Sequence, residues 1–208
     1  MAGVVVVLLL AGCDSPADPS NGGSAPPSAP ESSAQAGEAD YGAVCDALED
    51  AVKLPADGTI QYTAKFNKPT GWATNAPLCD IEPVGEYYDV AAKAPAFGRA
   101  EFNYGILTET QLQQVRYPEY TPETVQKLLT LDQADPLTDE LPCASKPCKD
   151  GIHGYQYNFR FEAMMDDIAV IAQFDYITTD VSGDKQTQYR TQAIEAFTAS
   201  MDAIAAEL

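Results

Sequence analysis

Histidine is almost missing from this chain, basic residues are few, and no apolar run is long enough to cross a bilayer. His153 is the only histidine, so a Ser-His-Asp or Cys-His arrangement would have to be built around that one side chain. Its setting, Asp150-Gly-Ile-His-Gly154, reads instead as a surface loop leading into a strand. GxSxG, HExxH, a glycine-rich phosphate loop and spaced metal-ligand clusters are also missing. These absences weigh against the common hydrolase types and against a metal or cofactor, and leave carboxylate chemistry open. Twelve Lys and Arg stand against 31 Asp and Glu, a formal net charge of −19. Phosphate neutralisation needs clustered Lys and Arg, so nucleic acid is excluded as the expected partner. Docking on anionic lipid head groups is disfavoured for the same reason.

What is present begins with Val4 to Leu10, an apolar run well short of the roughly 20 residues that span a bilayer. Its length suits the h-region of a signal peptide. Leu10-Ala11-Gly12-Cys13 follows directly and resembles the lipobox of bacterial lipoproteins, in which small residues precede an invariant cysteine. That resemblance implies a signal peptide over residues 1–12, diacylglycerol on the Cys13 thiol, and cleavage that leaves Cys13 as the mature N-terminus. It further implies an exported protein on the outer face of the cell membrane, held there by lipid. Two acyl chains anchor stably where one holds only marginally, at roughly 0.8 kcal/mol per buried methylene. No Lys or Arg precedes the apolar run, although signal peptides open on a basic segment, so further residues upstream of Met1 are expected.

Residues 14–40 are rich in Ser, Pro, Ala and Gly and hold no aromatic or basic residue. Such a segment cannot bury enough apolar surface to offset its ordering entropy. With Cys13 it reads as a lipidated tether over 13–40, its coil spanning roughly 26–31 Å. Five of the acidic residues lie in it, which leaves 26 against 12 basic residues and a net charge of −14 for the rest. Residues 41–208 have the length of a single domain.

Four cysteines remain beyond Cys13: Cys45, Cys79, Cys143 and Cys148. An even number in an exported domain points to two disulfides, with three connectivities open. Cys143-Ala-Ser-Lys-Pro-Cys148 looks like a local loop closed by its own bridge, and Cys45 would then pair with Cys79. Zinc is the rival reading, but Cys45 and Cys79 lie far from any CxxC spacing.

Periodicity gives the fold class. Val44, Leu48 and Val52 follow helical spacing after Asp40, a good N-cap. Alternation predicts strands over 59–66, 78–84, 86–91 and 99–106. A short helix is expected over 108–115, and another beginning at Thr121-Pro122-Glu123. Two strong strands follow, one with Tyr155, Tyr157, Phe159 and Phe161 on a single face, the next over 168–177 with Val170, Ala172, Phe174 and Tyr176. A long helix from Lys185 carries Ile194, Phe197, Met201, Ile204 and Leu208 on one stripe. Strands and helices without βαβ alternation indicate an α+β domain. We expect an antiparallel sheet with helices, including the last, packed on its aromatic face.

Three groups are candidates for a site. Glu162, Asp166 and Asp167 fall between the two strong strands and could serve a carboxylate hydrolase, or form a solvated hairpin connection. Asp180-Val-Ser-Gly-Asp184 has the flavour of a calcium loop but fails the EF-hand pattern. The aromatic face, with Phe102, Tyr104, Tyr155, Tyr157 and Tyr176, reads first as core. So many tyrosines on one face would also suit a pocket for an amphipathic envelope ligand.

Residues 41–110 also resemble small disulfide-containing lipoproteins of high-GC Gram-positive bacteria. The likeness rests on Cys45 in an N-terminal helix and on Trp72 shortly before Cys79. It implies a sensor or ligand-binding module without catalytic residues, and it transfers no site. The reading that results is a non-enzymatic, membrane-tethered module that binds an envelope molecule or a protein partner. The runner-up is an envelope hydrolase built on carboxylates.

Overall fold

The computed structural model describes residues 39–55, 60–67, 78–86, 90–91, 93–137, 154–179 and 184–208. All of these belong to one compact unit, Glu38–Leu208. Cys13 and its flanking lipobox, Trp72, Cys143, Cys148, His153 and residues 180–183 lie outside the described residues.

Helix α1 (Tyr41–Ala51) starts where expected, because the Asp40 carboxylate accepts from the Gly42 and Ala43 N–H groups, two donors a helix start otherwise leaves unpaired. Six strands follow: β1 (Tyr62–Asn67), β2 (Leu78–Pro83), β3 (Ala96–Ile106), β4 (Leu129–Leu137), β5 (Gly154–Met165) and β6 (Ile168–Thr178). Helix α2 (Glu109–Leu112) interrupts them and α3 (Lys185–Glu207) ends the chain. The strands form one antiparallel sheet in the order β1-β2-β3-β6-β5-β4. Two three-stranded meanders thus meet at the central β3–β6 pair, and β1 and β4 are the edges. The fold is α+β, as the periodicity indicated.

Register decides which side chains share a face. Phe161 stands beside Ala172, which stands beside Phe102, which stands beside Cys79. Phe159, Phe174 and Ala100 form the next row, then Tyr157, Tyr176 and Gly98. All of these point at the helices. Val44 and Leu48 of α1 and Ala193, Phe197, Met201 and Ile204 of α3 close over them, each fully buried. The Phe161 and Phe197 rings stack 4.5 Å apart at 9°, while Phe174 meets Phe161 edge-on at 5.9 Å. Burying one such ring contributes about 1.5–3 kcal/mol. At Gly98 a Cβ would stand only 3.1 Å from both Pro55 and Tyr176, so the tyrosine row needs glycine there. The Cys45–Cys79 bridge joins α1 to β2 with Cα atoms 5.5 Å apart, the pairing that spacing suggested. The bridge expected between Cys143 and Cys148 lies outside the described residues.

Two elements differ from expectation. Val90 and Ala91, expected at the end of a strand over 86–91, are helical: Val90 N–H bonds to Glu86 O and Ala94 N–H to Val90 O. They pack against Phe97 and Ile177, so tertiary burial overrode the short apolar alternation. Thr121 opens only a turn and a single 3-10 turn, Val125–Lys127. The chain then becomes edge strand β4, whose apolar positions are too sparse to announce it. Thr108 does cap α2, in a reciprocal capping box with Gln111. Among the described residues no helix is long and apolar enough to cross a membrane.

Candidate polar sheet face

The sheet's second face carries the side chains that alternate with the aromatic ones. On the central strands these are Arg99 and Glu101 of β3, Gln173 and Asp175 of β6, and Gln156, Asn158, Arg160 and Glu162 of β5. No helix among α1, α2 and α3 covers this middle stretch. The helical turn around Val90 covers one end of the face, through Phe97 and Ile177.

These groups are hydrogen-bonded to one another rather than scattered. Asp175 is buried to 2 % exposure and accepts from Arg99 Nε at 2.7 Å. Gln173 Nε2 donates to both oxygens of the same carboxylate. Across the next strand, Gln156 donates to Asn158 Oδ1, and Asn158 Nδ2 donates to Asp135 Oδ2 at 3.1 Å. Arg160 holds Glu162 through Nε and Nη2, both at 3.0 Å. Tyr117, from the segment after α2, lies close enough for Glu162 and Arg160 to act on its hydroxyl. Burial raises its pKa, Glu162 adds to the rise and Arg160 opposes it. A carboxylate placed inside a sheet needs such partners, because an unpaired buried charge costs several kcal/mol.

At the β1–β2 side the balance is different. Asp80 stands directly opposite Glu101, and like charges in that position repel. Burial, then Glu101, then Glu82 raise the Asp80 carboxyl above its ordinary value, against opposition from Arg99 and Lys65.

The aromatic candidates lie on the other face. Phe102, Tyr104 and Tyr176 are completely buried, Tyr157 is 7 % exposed, and Tyr155 is half-buried. Tyr104 donates to Tyr41 O at 2.8 Å, and the Tyr155, Tyr157, Tyr189 and Tyr176 rings form a continuous chain of contacts. Four of the five proposed ligand contacts are therefore core contacts in this conformation.

The three carboxylates are not brought together. Asp166 and Asp167 form the exposed two-residue turn between β5 and β6, Asp166 at a φ of 54°. Glu162 belongs to β5 itself, about 13 Å back along the strand, and is already paired with Arg160. Among the described residues no group of three His, Cys, Asp or Glu could hold a metal. Asp184 precedes α3 without capping it through its side chain.

Sequence reasoning missed the paired groups. Arg99 and Asp175 are 76 residues apart, and only the β3–β6 register joins them. The available signal was a single charged residue, Asp175, inside the apolar run 168–177. No family model, curated protein or solved structure matches the chain.

Proposed function

We propose that this protein is a non-enzymatic binding module, tethered by lipid on Cys13 to the outer face of the cell membrane, that engages a protein partner through its polar sheet face. Two hydrogen-bonded sets, Arg99–Asp175–Gln173 and Gln156–Asn158–Asp135, set side by side by the Asn158–Asp175 strand pairing, carry the reading. Buried Asp175 and Asn158 hold the more exposed Arg99, Gln173, Gln156 and Asp135 in fixed positions, and that spread of exposed polar groups suits a protein surface better than the concave pocket a small ligand needs. Arginine and tyrosine are enriched where such interfaces are strongest; Arg99 lies in the row, and Arg160 and Tyr117 flank it. The lipobox resemblance and the tether-like composition of 14–40 supply the address. An amphipathic envelope ligand would have to open the aromatic core, and a carboxylate hydrolase would need acids that converge.

A photo-crosslinking residue at Gln173 tests the face in intact envelopes of the producing organism, with Glu195 of α3 as the control position. The reading expects one discrete adduct from Gln173, lost on Arg160→Glu, and none from Glu195. Adducts from Glu195 alone, or none from either, sink it. Cys13→Ala should move the protein from the detergent phase to the aqueous phase, and retention in detergent would place the anchor elsewhere.

A further inference from the structure

The two edges of the sheet are protected by different means. On β4 the protection is built into the chain: Pro136 has no N–H to offer, and the register shifts between Leu129 and Leu131, a bulge that breaks regular pairing. On β1, among the described residues, it is one side chain. The Ala64 N–H, which points away from β2, is taken by Glu49 Oε2 of α1 at 2.8 Å. We infer that Glu49 is a removable guard on the β1 edge, held in place by the Cys45–Cys79 bridge, and that its release lets β1 pair antiparallel with β1 of a second copy.

The bridge matters because of spacing. Cys45 and Glu49 are four residues apart on one helix and therefore share a face. Cys45 is bonded to Cys79 of β2, the strand next to β1. That bond fixes α1 over this corner of the sheet and so fixes where the Glu49 carboxylate reaches. Breaking it removes the covalent part of that constraint without touching β1.

The occupant follows from the register of the edge. In an antiparallel ladder alternate residues present both backbone groups to the same side, so Tyr62 and Phe66 face outward with Ala64. A pairing centred on Ala64 sets Ala64 against Ala64 of the second copy and Tyr62 against its Phe66, which closes two-fold symmetrically. On the opposite face Lys65 meets Thr63, so no like charges oppose each other across the new seam. The same strand therefore supplies both halves of a matched pair, and Glu49 occupies its central donor.

The test uses the full chain with Cys13→Ala, to keep micelles out, and reads sedimentation velocity together with amide hydrogen exchange. The unaltered edge should give a monomer with a protected Ala64 amide. Glu49→Ala should strengthen self-association at least about tenfold and protect the Tyr62, Ala64 and Phe66 amides as the dimer forms. Glu49→Gln retains an accepting oxygen and should stay monomeric. Cys45→Ser with Cys79→Ser should behave like Glu49→Ala. A folded Glu49→Ala protein that is monomeric at millimolar concentration overturns the inference. So does a dimer whose three edge amides gain no protection. Should the cysteine variant unfold, the Glu49 pair still decides the question.

Discussion

Arg99 and Asp175 share one hydrogen bond but stand in different surroundings: the carboxylate is 2 % exposed and the guanidinium side chain 41 %. Removing the arginine leaves a carboxylate inside the sheet with the Gln173 amide as its remaining described side-chain partner. Breaking a fully buried pair costs about 3–5 kcal/mol. Here solvent reaches the arginine side, so Arg99→Ala should cost about 2–3 kcal/mol in urea unfolding. Asp175→Asn combined with it in a double-mutant cycle isolates the pair from the other contacts Arg99 makes. A coupling energy indistinguishable from zero would show that water, not Arg99, stabilises Asp175.

The Cys45–Cys79 bridge closes a loop of sequence separation 34. In the chain-entropy account this restricts the unfolded state by about 4 kcal/mol. Replacing both cysteines by alanine should therefore lower the unfolding free energy by about that amount and the urea midpoint with it, with the slope altered because the unfolded chain expands. A loss below about 1 kcal/mol would mean that α1 is held by its packing of Val44 and Leu48 instead.

How much of this was legible in the sequence depends on period and distance. Asp40, Val44 and Leu48 announced α1 because capping and helical spacing are local. The alternation of Tyr155, Tyr157, Phe159 and Phe161 announced β5 and its inward face equally well. Strand β4 did not announce itself: as an edge strand it alternates weakly, and Thr121-Pro122-Glu123 beforehand offered a good helix start. The polar face was legible only as the reverse of the aromatic face. That Asp175 meets Arg99, or Asn158 meets Asp135, follows from strand order, and no local pattern encodes strand order. Glu49 illustrates the same limit, since its partner is a backbone N–H fifteen residues away.

Alkaline pH should unfold the domain. Burial raises the hydroxyls of Tyr62, Tyr104, Tyr157 and Tyr176 above the usual tyrosine value, which is about 10. Above that pH the unfolded chain releases these protons while the native state keeps them. The native state then binds more protons, so stability is intact below pH of about 10 and falls as pH rises further. Tyrosinate absorbance should titrate in two stages: exposed rings first and reversibly, then the buried set together with loss of the circular dichroism signal. A single smooth titration with the fold intact would contradict the burial of these rings.

Two tyrosines on the aromatic face differ by one hydrogen bond, and that difference separates packing from pairing. Tyr104 donates to Tyr41 O at 2.8 Å, tying β3 to the first residue of α1. The Tyr176 hydroxyl is buried and finds no hydrogen-bond partner among the described residues. Both rings are completely buried, so Tyr→Phe removes the same atom from equally enclosed sites. At position 104 it breaks the bond that ties β3 to the start of α1, which should cost about 1 kcal/mol. At position 176 it removes a hydroxyl whose desolvation nothing offsets, so the change should be neutral or stabilise by up to about 1 kcal/mol. Thermal unfolding measures both: Tyr104→Phe should lower Tm by several degrees, and Tyr176→Phe should leave it level or raise it. Should Tyr176→Phe destabilise as much as Tyr104→Phe, its hydroxyl has a partner in solution, and the aromatic face regains its claim to be a polar-lined cavity rather than a closed core.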